Sequence, residues 1–138
     1  SLLVRAIGAY FGELVRRRWN GHWRLTNELD IEGWRVCGRY QLLAFNPAAF
    51  AAEALAGTGA HSGPSAEIRM PFADRERIRE RLERMPPVPE SEYFLLSTRL
   101  EVLDVIVETL QATNHDESSP VEYELDDYEQ DAELIGSP

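Results

Sequence analysis

Three histidines, one cysteine and a late run of carboxylates are the side chains through which this chain could do chemistry. His22, His61 and His115 stand far apart, and none has a second ligand at the i,i+4 spacing that sets two metal-binding side chains on one helix face. Cys37, the only cysteine, excludes an intramolecular disulfide and an all-cysteine metal site, and it falls in a strand pattern where a small buried side chain is the ordinary role. Gly57-Thr58-Gly59 lacks the lysine and the following helix of a phosphate loop. This reading assigns no catalytic residue, no metal and no cofactor. The enzymatic alternative is a small hydrolase-type cleft near His22, with Glu13 and the neighbouring tryptophans.

The carboxylates carry more information. The formal net charge of −10 over 138 residues is unevenly spread. Residues 1–113 hold fifteen acidic and fourteen basic side chains, whereas residues 114–138 hold nine acidic and none basic. Such a field is local, because salt screens it beyond about 8–10 Å. Within the acidic segment, Tyr123, Asp126, Asp127, Tyr128, Glu129, Asp131 and Glu133, with Glu122, Glu124, Leu134 and Ile135 among them, have the composition of an acidic-aromatic recognition segment. Carboxylates there would steer a partner protein with a basic surface, and the tyrosines would serve as desolvated anchors. The expected function is a non-enzymatic protein-binding or regulatory domain with this tail as its contact surface. An acidic mimic of nucleic acid, competing for a basic groove, is a further alternative. Direct nucleic-acid binding would rest on Arg16, Arg17 and Arg18 with Arg24 and Arg39, and on Trp19 and Trp23 for stacking. The near-neutral body and the acidic tail argue against it, so those arginines read as helix-end side chains lying over apolar surface.

The elements that must position these groups follow from periodicity. Leu3, Val4, Ile7, Phe11, Leu14 and Val15 recur at helical spacing and predict a helix over about residues 2–19, with arginines in its last turn and Asn20-Gly21 as the stop. Gly8 and Gly12 share one face of it, where another backbone could approach closely. Alternation over His22–Leu25 and Trp34–Leu42 predicts an antiparallel hairpin. Asn46-Pro47 is a cap followed by a first-turn proline, opening a short Ala-rich helix that ends at Gly57. A short strand is expected at Glu67–Met70, then a third helix capped by Asp74 with Ile78, Leu82 and Met85 inward. Thr98-Arg99-Leu100-Glu101 has capping-box spacing and opens a fourth helix to about Thr113, which is expected to pair with the first helix across the core. Alternation over Val121–Leu125 predicts a strand docked on a core edge, with the remaining tail extended.

The fold class is therefore α+β: about four helices on a small antiparallel sheet, with a single domain over 1–113 and an acidic segment over 114–138. Ala9-Tyr10-Phe11-Gly12-Glu13, Gly21-His22-Trp23 and the strand at Trp34 resemble a pattern in small bacterial domains of unknown function, including immunity-type proteins, over about residues 6–45. The resemblance implies a compact α+β fold, carries over no catalytic residue, and would set Gly12 against a neighbouring backbone with Glu13 paired to Arg17. The longest uncharged runs fall short of the roughly 20 apolar residues that span a bilayer, and the first residues read as an amphipathic helix rather than a secretory signal. A cytoplasmic protein without membrane contact is expected, with a homo-oligomer possible in principle.

Overall fold

In a computed structural model, which describes residues 2–26, 30–59, 63–112, 121–130 and 134–135, helix α1 (Leu2–Trp19) turns Phe11, Val15 and Trp19 into the core. It stops where Asn20 takes a left-handed φ of 51° and the Gly21 N–H returns to the Arg16 carbonyl at 2.8 Å. Strand β1 (His22–Leu25) pairs antiparallel with β2 (Trp34–Cys37), setting Trp23 opposite Val36 and Arg24 opposite Arg35. A short 3-10 turn, Ile31–Gly33, capped by the Asp30 side chain, leads into β2.

The second strand is shorter than alternation suggested. It ends at Cys37, the chain turns through Gly38–Gln41, and the Gly38 N–H bonds the Leu43 carbonyl at 2.9 Å. Ala44–Phe45 then forms β3, a two-residue strand that no period can announce. Asn46 follows, almost fully buried: its Oδ1 accepts from Ala48 N at 2.9 Å and Ala49 N at 3.3 Å, while Nδ2 donates to the Ile31 carbonyl at 2.8 Å. One side chain thus starts α2 (Pro47–Ala56) and ties it to the turn before β2. Gly57, at φ 70°, closes α2.

Strand β4 (Ile68–Pro71) pairs with β3, and the two-residue β5 (Leu134–Ile135) pairs with β4 at Met70 and Pro71. Helices α3 (Phe72–Glu83), α4 (Glu90–Tyr93), α5 (Leu96–Ala112) and α6 (Leu125–Gln130) are the other elements among the described residues. This is an α+β fold in which four long helices, α1, α2, α3 and α5, accompany an antiparallel sheet of four strands in the order β1-β2-β3-β4, with the two-residue β5 added at the β4 edge.

Several local expectations are corrected. Helix α3 begins at Phe72, with Pro71 in the capping place; Asp74 lies inside the first turn, 3.0 Å from Arg77. Helix α5 begins at Leu96, so Thr98 is within it and does not cap it. Val121–Glu124 has no regular structure and Leu125 opens a helix, so the strand expected over 121–125 is absent. The principal helix partner of α1 is α2, and α5 packs chiefly on α3. An ion pair, Arg18 to Asp104 at 2.5 Å, links α1 to α5.

Phe45 sits at the centre of the core, with Phe11 edge-on at 6.0 Å, Trp19 edge-on at 5.6 Å and Phe50 at 4.9 Å between ring centroids. The approach of α1 to α2 is close enough that a Cβ on Gly8 would stand 2.8 Å from the Ala48 Cα. Gly12 is turned instead toward the Trp23 ring and Pro47, and Glu13 bonds Arg16 rather than Arg17. Farther along α2, Glu53 makes a buried ion pair with Arg99 of α5 at 3.1 Å. The Arg99 guanidinium lies 4.7 Å from the Phe50 ring, 5.2 Å from Tyr93 and 5.5 Å from Phe94.

Two stability outcomes are expected. Gly8→Ala pushes a methyl group into backbone that cannot yield, costing about 1–3 kcal/mol and lowering the urea midpoint. Arg99→Met strands Glu53 without a counter-charge and costs about 3–5 kcal/mol, most of which Glu53→Leu added to it restores in the same titration.

Candidate functional site

Side chains along a strand alternate between the two faces of a sheet, and the observed register sorts this sheet cleanly. Trp23, Val36, Phe45 and Ile68 stand in line across the four strands on the face covered by helices. The other face takes His22, Arg24, Arg35, Cys37, Ala44 and Arg69. Helix α6 and the segment before it cover part of that second face. Tyr128 packs there with Cys37 and Ala44, and Leu42, Tyr123 and Leu125 lie around them.

Tyr128 is the anchor. Its ring is 8% exposed, and its hydroxyl accepts from Leu43 N at 3.3 Å and donates toward the carbonyls of Gly38 (2.6 Å) and Gln41 (2.7 Å). The Gly38–Gln41 turn and the acidic segment are thereby joined by one phenol. The Tyr123 N–H adds a bond to the Arg39 carbonyl at 2.6 Å. Asp127 reaches back to accept from Glu124 N at 2.7 Å, the reciprocal bond of a capping box that starts α6.

Beside this anchor is a pocket of about 280 Å³ lined by Arg24, Arg35 and Arg69 with Thr26, Gly33, Cys37, Ala44, Tyr128 and Glu129. The small Ala44 side chain, between Cys37 and Arg69 in the register, leaves room at its floor. Arg35 donates to the carbonyls of Glu32 at 2.9 Å and Trp34 at 2.7 Å, both neutral acceptors. Burial, then the charges of Arg69 and Arg24, hold its guanidinium below the usual arginine range, while Glu67 acts the other way. It remains cationic near neutrality. Glu129 stands 3.7 Å from Arg24 and Glu124 stands 3.8 Å from His22, both weak, partly exposed pairs. Burial pushes the Cys37 thiol up to about 12, against the downward pull of Arg24 and Arg35. At neutral pH it is a packed thiol and not a nucleophile.

The residues expected to contact a partner therefore divide. Asp126, Asp127 and Glu129 are exposed, Tyr123 is half-buried, and Tyr128 is withdrawn into the structure as its anchor. Asp131 and Glu133 lie outside the described residues, as do His61 and His115. The components of the expected cleft are brought together in part: Glu13, Trp23 and Trp34 line one space on the helix side of the sheet, whereas His22 faces Glu124 on the other. The nucleic-acid constellation is likewise dispersed. Trp19 is 4% exposed in the core, Arg16 bonds Glu13, and Arg39 donates to the Asn20 carbonyl at 2.6 Å. Among the described residues no group of three or more metal-ligating side chains gathers, and no helix is long and apolar enough to cross a membrane.

Sequence reasoning missed the three arginines as a set. Arg24 and Arg35 fall on one face once a hairpin register is assumed, but Arg69 joins them only through the pairing of β4 with β3. No protein-family model, curated protein or solved structure matches this chain.

A pH dependence follows from the buried hydroxyl and thiol. Cys37 releases its proton near 9.0 unfolded and at about 12 folded, so its share of stability is complete below pH 9 and is lost as the pH rises through 12. Burial moves Tyr128 in the same direction. Cys37→Ala is expected to flatten, without abolishing, the alkaline decline seen in denaturant titrations between about pH 8 and pH 10.5.

Proposed function

We propose that this chain is a non-enzymatic binding or regulatory domain acting through protein–protein contacts, and that the outward side of α6 and the irregular segment before it meet a partner with a basic surface. The observation that carries the reading is the Tyr128 anchor. Its hydrogen bonds to the Gly38–Gln41 turn hold α6 in place, so that Asp126 and Glu129 stand exposed on an ordered element. Carboxylates displayed in this way steer a basic partner and lose little entropy on contact, because their backbone is already fixed. The single, buried Cys37 suits a reducing, cytoplasmic setting.

The test separates charge from fold. A variant carrying Glu122→Gln, Asp126→Asn, Asp131→Asn and Glu133→Gln keeps the Tyr123 and Tyr128 contacts, the Asp127 cap and Glu129. Partner affinity, measured after co-purification from the native host, is expected to fall at least about tenfold and to weaken with added salt. Unchanged affinity in the neutralised variant overturns the reading.

A further inference from the structure

Two apolar clusters stand on opposite faces of the sheet and share no residue. The larger joins α1, α2, α3 and α5 to the inward side of the strands and holds Phe45, Phe50, Met70, Ile78 and Leu103 away from water. The smaller exists only where residues 121–130 lie over Cys37 and Ala44. Within residues 121–129, Tyr128 is buried, Tyr123 and Leu125 are half-buried, and the others are exposed. Helix α6 has six residues, too few to persist without tertiary contact. Its attachments to the body include the Tyr128 hydroxyl on Leu43, Gly38 and Gln41 and the Tyr123 N–H on the Arg39 carbonyl. The approaches of Glu124 to His22 and Glu129 to Arg24 are loose. These attachments reach the first hairpin and the turn after it, while the larger cluster stands on the far side of the sheet.

We propose that residues 121–130 are a latch that opens and closes as one unit while the body stays folded, with the Tyr128 hydroxyl as its catch. Loss of the smaller cluster leaves the larger one intact, which is the condition for a local opening at lower cost than global unfolding. A population of about 0.1–10% is the range of such a minor state. With the latch shut, the backbone of α6 is fixed and Asp126 and Glu129 are displayed together. With it open, a six-residue helix without its anchor melts and the display is lost. Opening also uncovers Cys37, which is 1% exposed when the latch is shut. The latch thus regulates the contact surface assigned above. What it regulates rests on that reading, whereas the opening is a property of the chain and is measured without a partner.

Cys37 is the only cysteine, so its labelling by an aromatic disulfide reagent, dithiobisnitrobenzoate, reports the opening in the full chain. With the latch shut the thiol is buried and titrates at about 12, so the reactive thiolate comes from the open state. At about pH 8, the labelling rate is expected to depend on low urea concentrations far less steeply than global unfolding does, because the latch exposes little surface. Tyr128→Phe keeps the ring and removes the catch, and is expected to accelerate labelling about tenfold. Ile78→Val trims the larger cluster, which the shut and open states share. It is expected to lower the urea midpoint and leave labelling in water unchanged. Amide exchange at Tyr123 and Leu43, whose N–H groups bond across the latch, is expected to follow the labelling, with Ile106 of α5 far slower. Labelling that carries the full urea slope from zero denaturant, or that Ile78→Val accelerates as much as Tyr128→Phe, overturns the latch. That result leaves the contact reading standing, since a permanently fixed α6 displays the same carboxylates; unchanged partner affinity in the neutralised variant removes the contact reading and leaves the opening.

Discussion

The contact of α1 with α2 at Gly8 and Ala48 is the constraint from which the rest of the architecture follows. A helix pair brought this close forms one continuous apolar layer, and Phe11, Val15 and Trp19 from α1 reach the same space as Phe50 from α2. Phe45 fills that space from the sheet. Asn46 then decides where the layer sits, because it ends β3, caps α2 and bonds the turn before β2 at once. With the helices committed to one face of the sheet, the other face is left to whatever the chain has in reserve. That reserve is the acidic segment.

The uncovered face is where this chain departs from simple stability. A cross-strand arginine pair, a third arginine and a buried thiol would be a poor choice for a face meant only to be closed. Tyr128 closes part of it by supplying both apolar area and a hydroxyl for the turn carbonyls. The arginines are left beside this cover and not beneath it. Charge of opposite sign therefore stands on adjacent surfaces, carboxylates on α6 and guanidiniums on the strands, and Glu129 approaches Arg24 loosely at 3.7 Å.

Burial gives the ion pairs of this molecule unequal weight. Glu53 and Arg99 are both withdrawn from water, and three aromatic rings surround the guanidinium, so each charge depends on the other. The pairs along α3, such as Arg79 with Glu76 and Glu83, are exposed and act mainly as a solvated face. The same arginine–glutamate chemistry thus locks α2 to α5 in one place and merely decorates a helix in another.

The sequence by itself determined the elements whose signals are local. The apolar stripe of α1 and its stop at Asn20-Gly21, the Asn46-Pro47 start of α2 and its end at Gly57, and the alternation of the first two strands each depend on residues a few positions apart. The fold class followed from those. What only the tertiary structure decided depends on partners distant in the chain. Strand β3 is too short to show a period and exists because β2 and β4 flank it. Val121–Leu125 alternates like a strand, yet the chain enters a helix there, because Asp127 caps it and Tyr128 finds three backbone partners some 85 to 90 residues away. Residue 128 read as a contact for a partner protein, since a tyrosine among carboxylates resembles a surface anchor until its hydroxyl's own partners are known. The arginine pocket was hidden for the same reason: spacing orders residues along one strand, but only hydrogen-bonded pairing across strands places Arg24, Arg35 and Arg69 around one space.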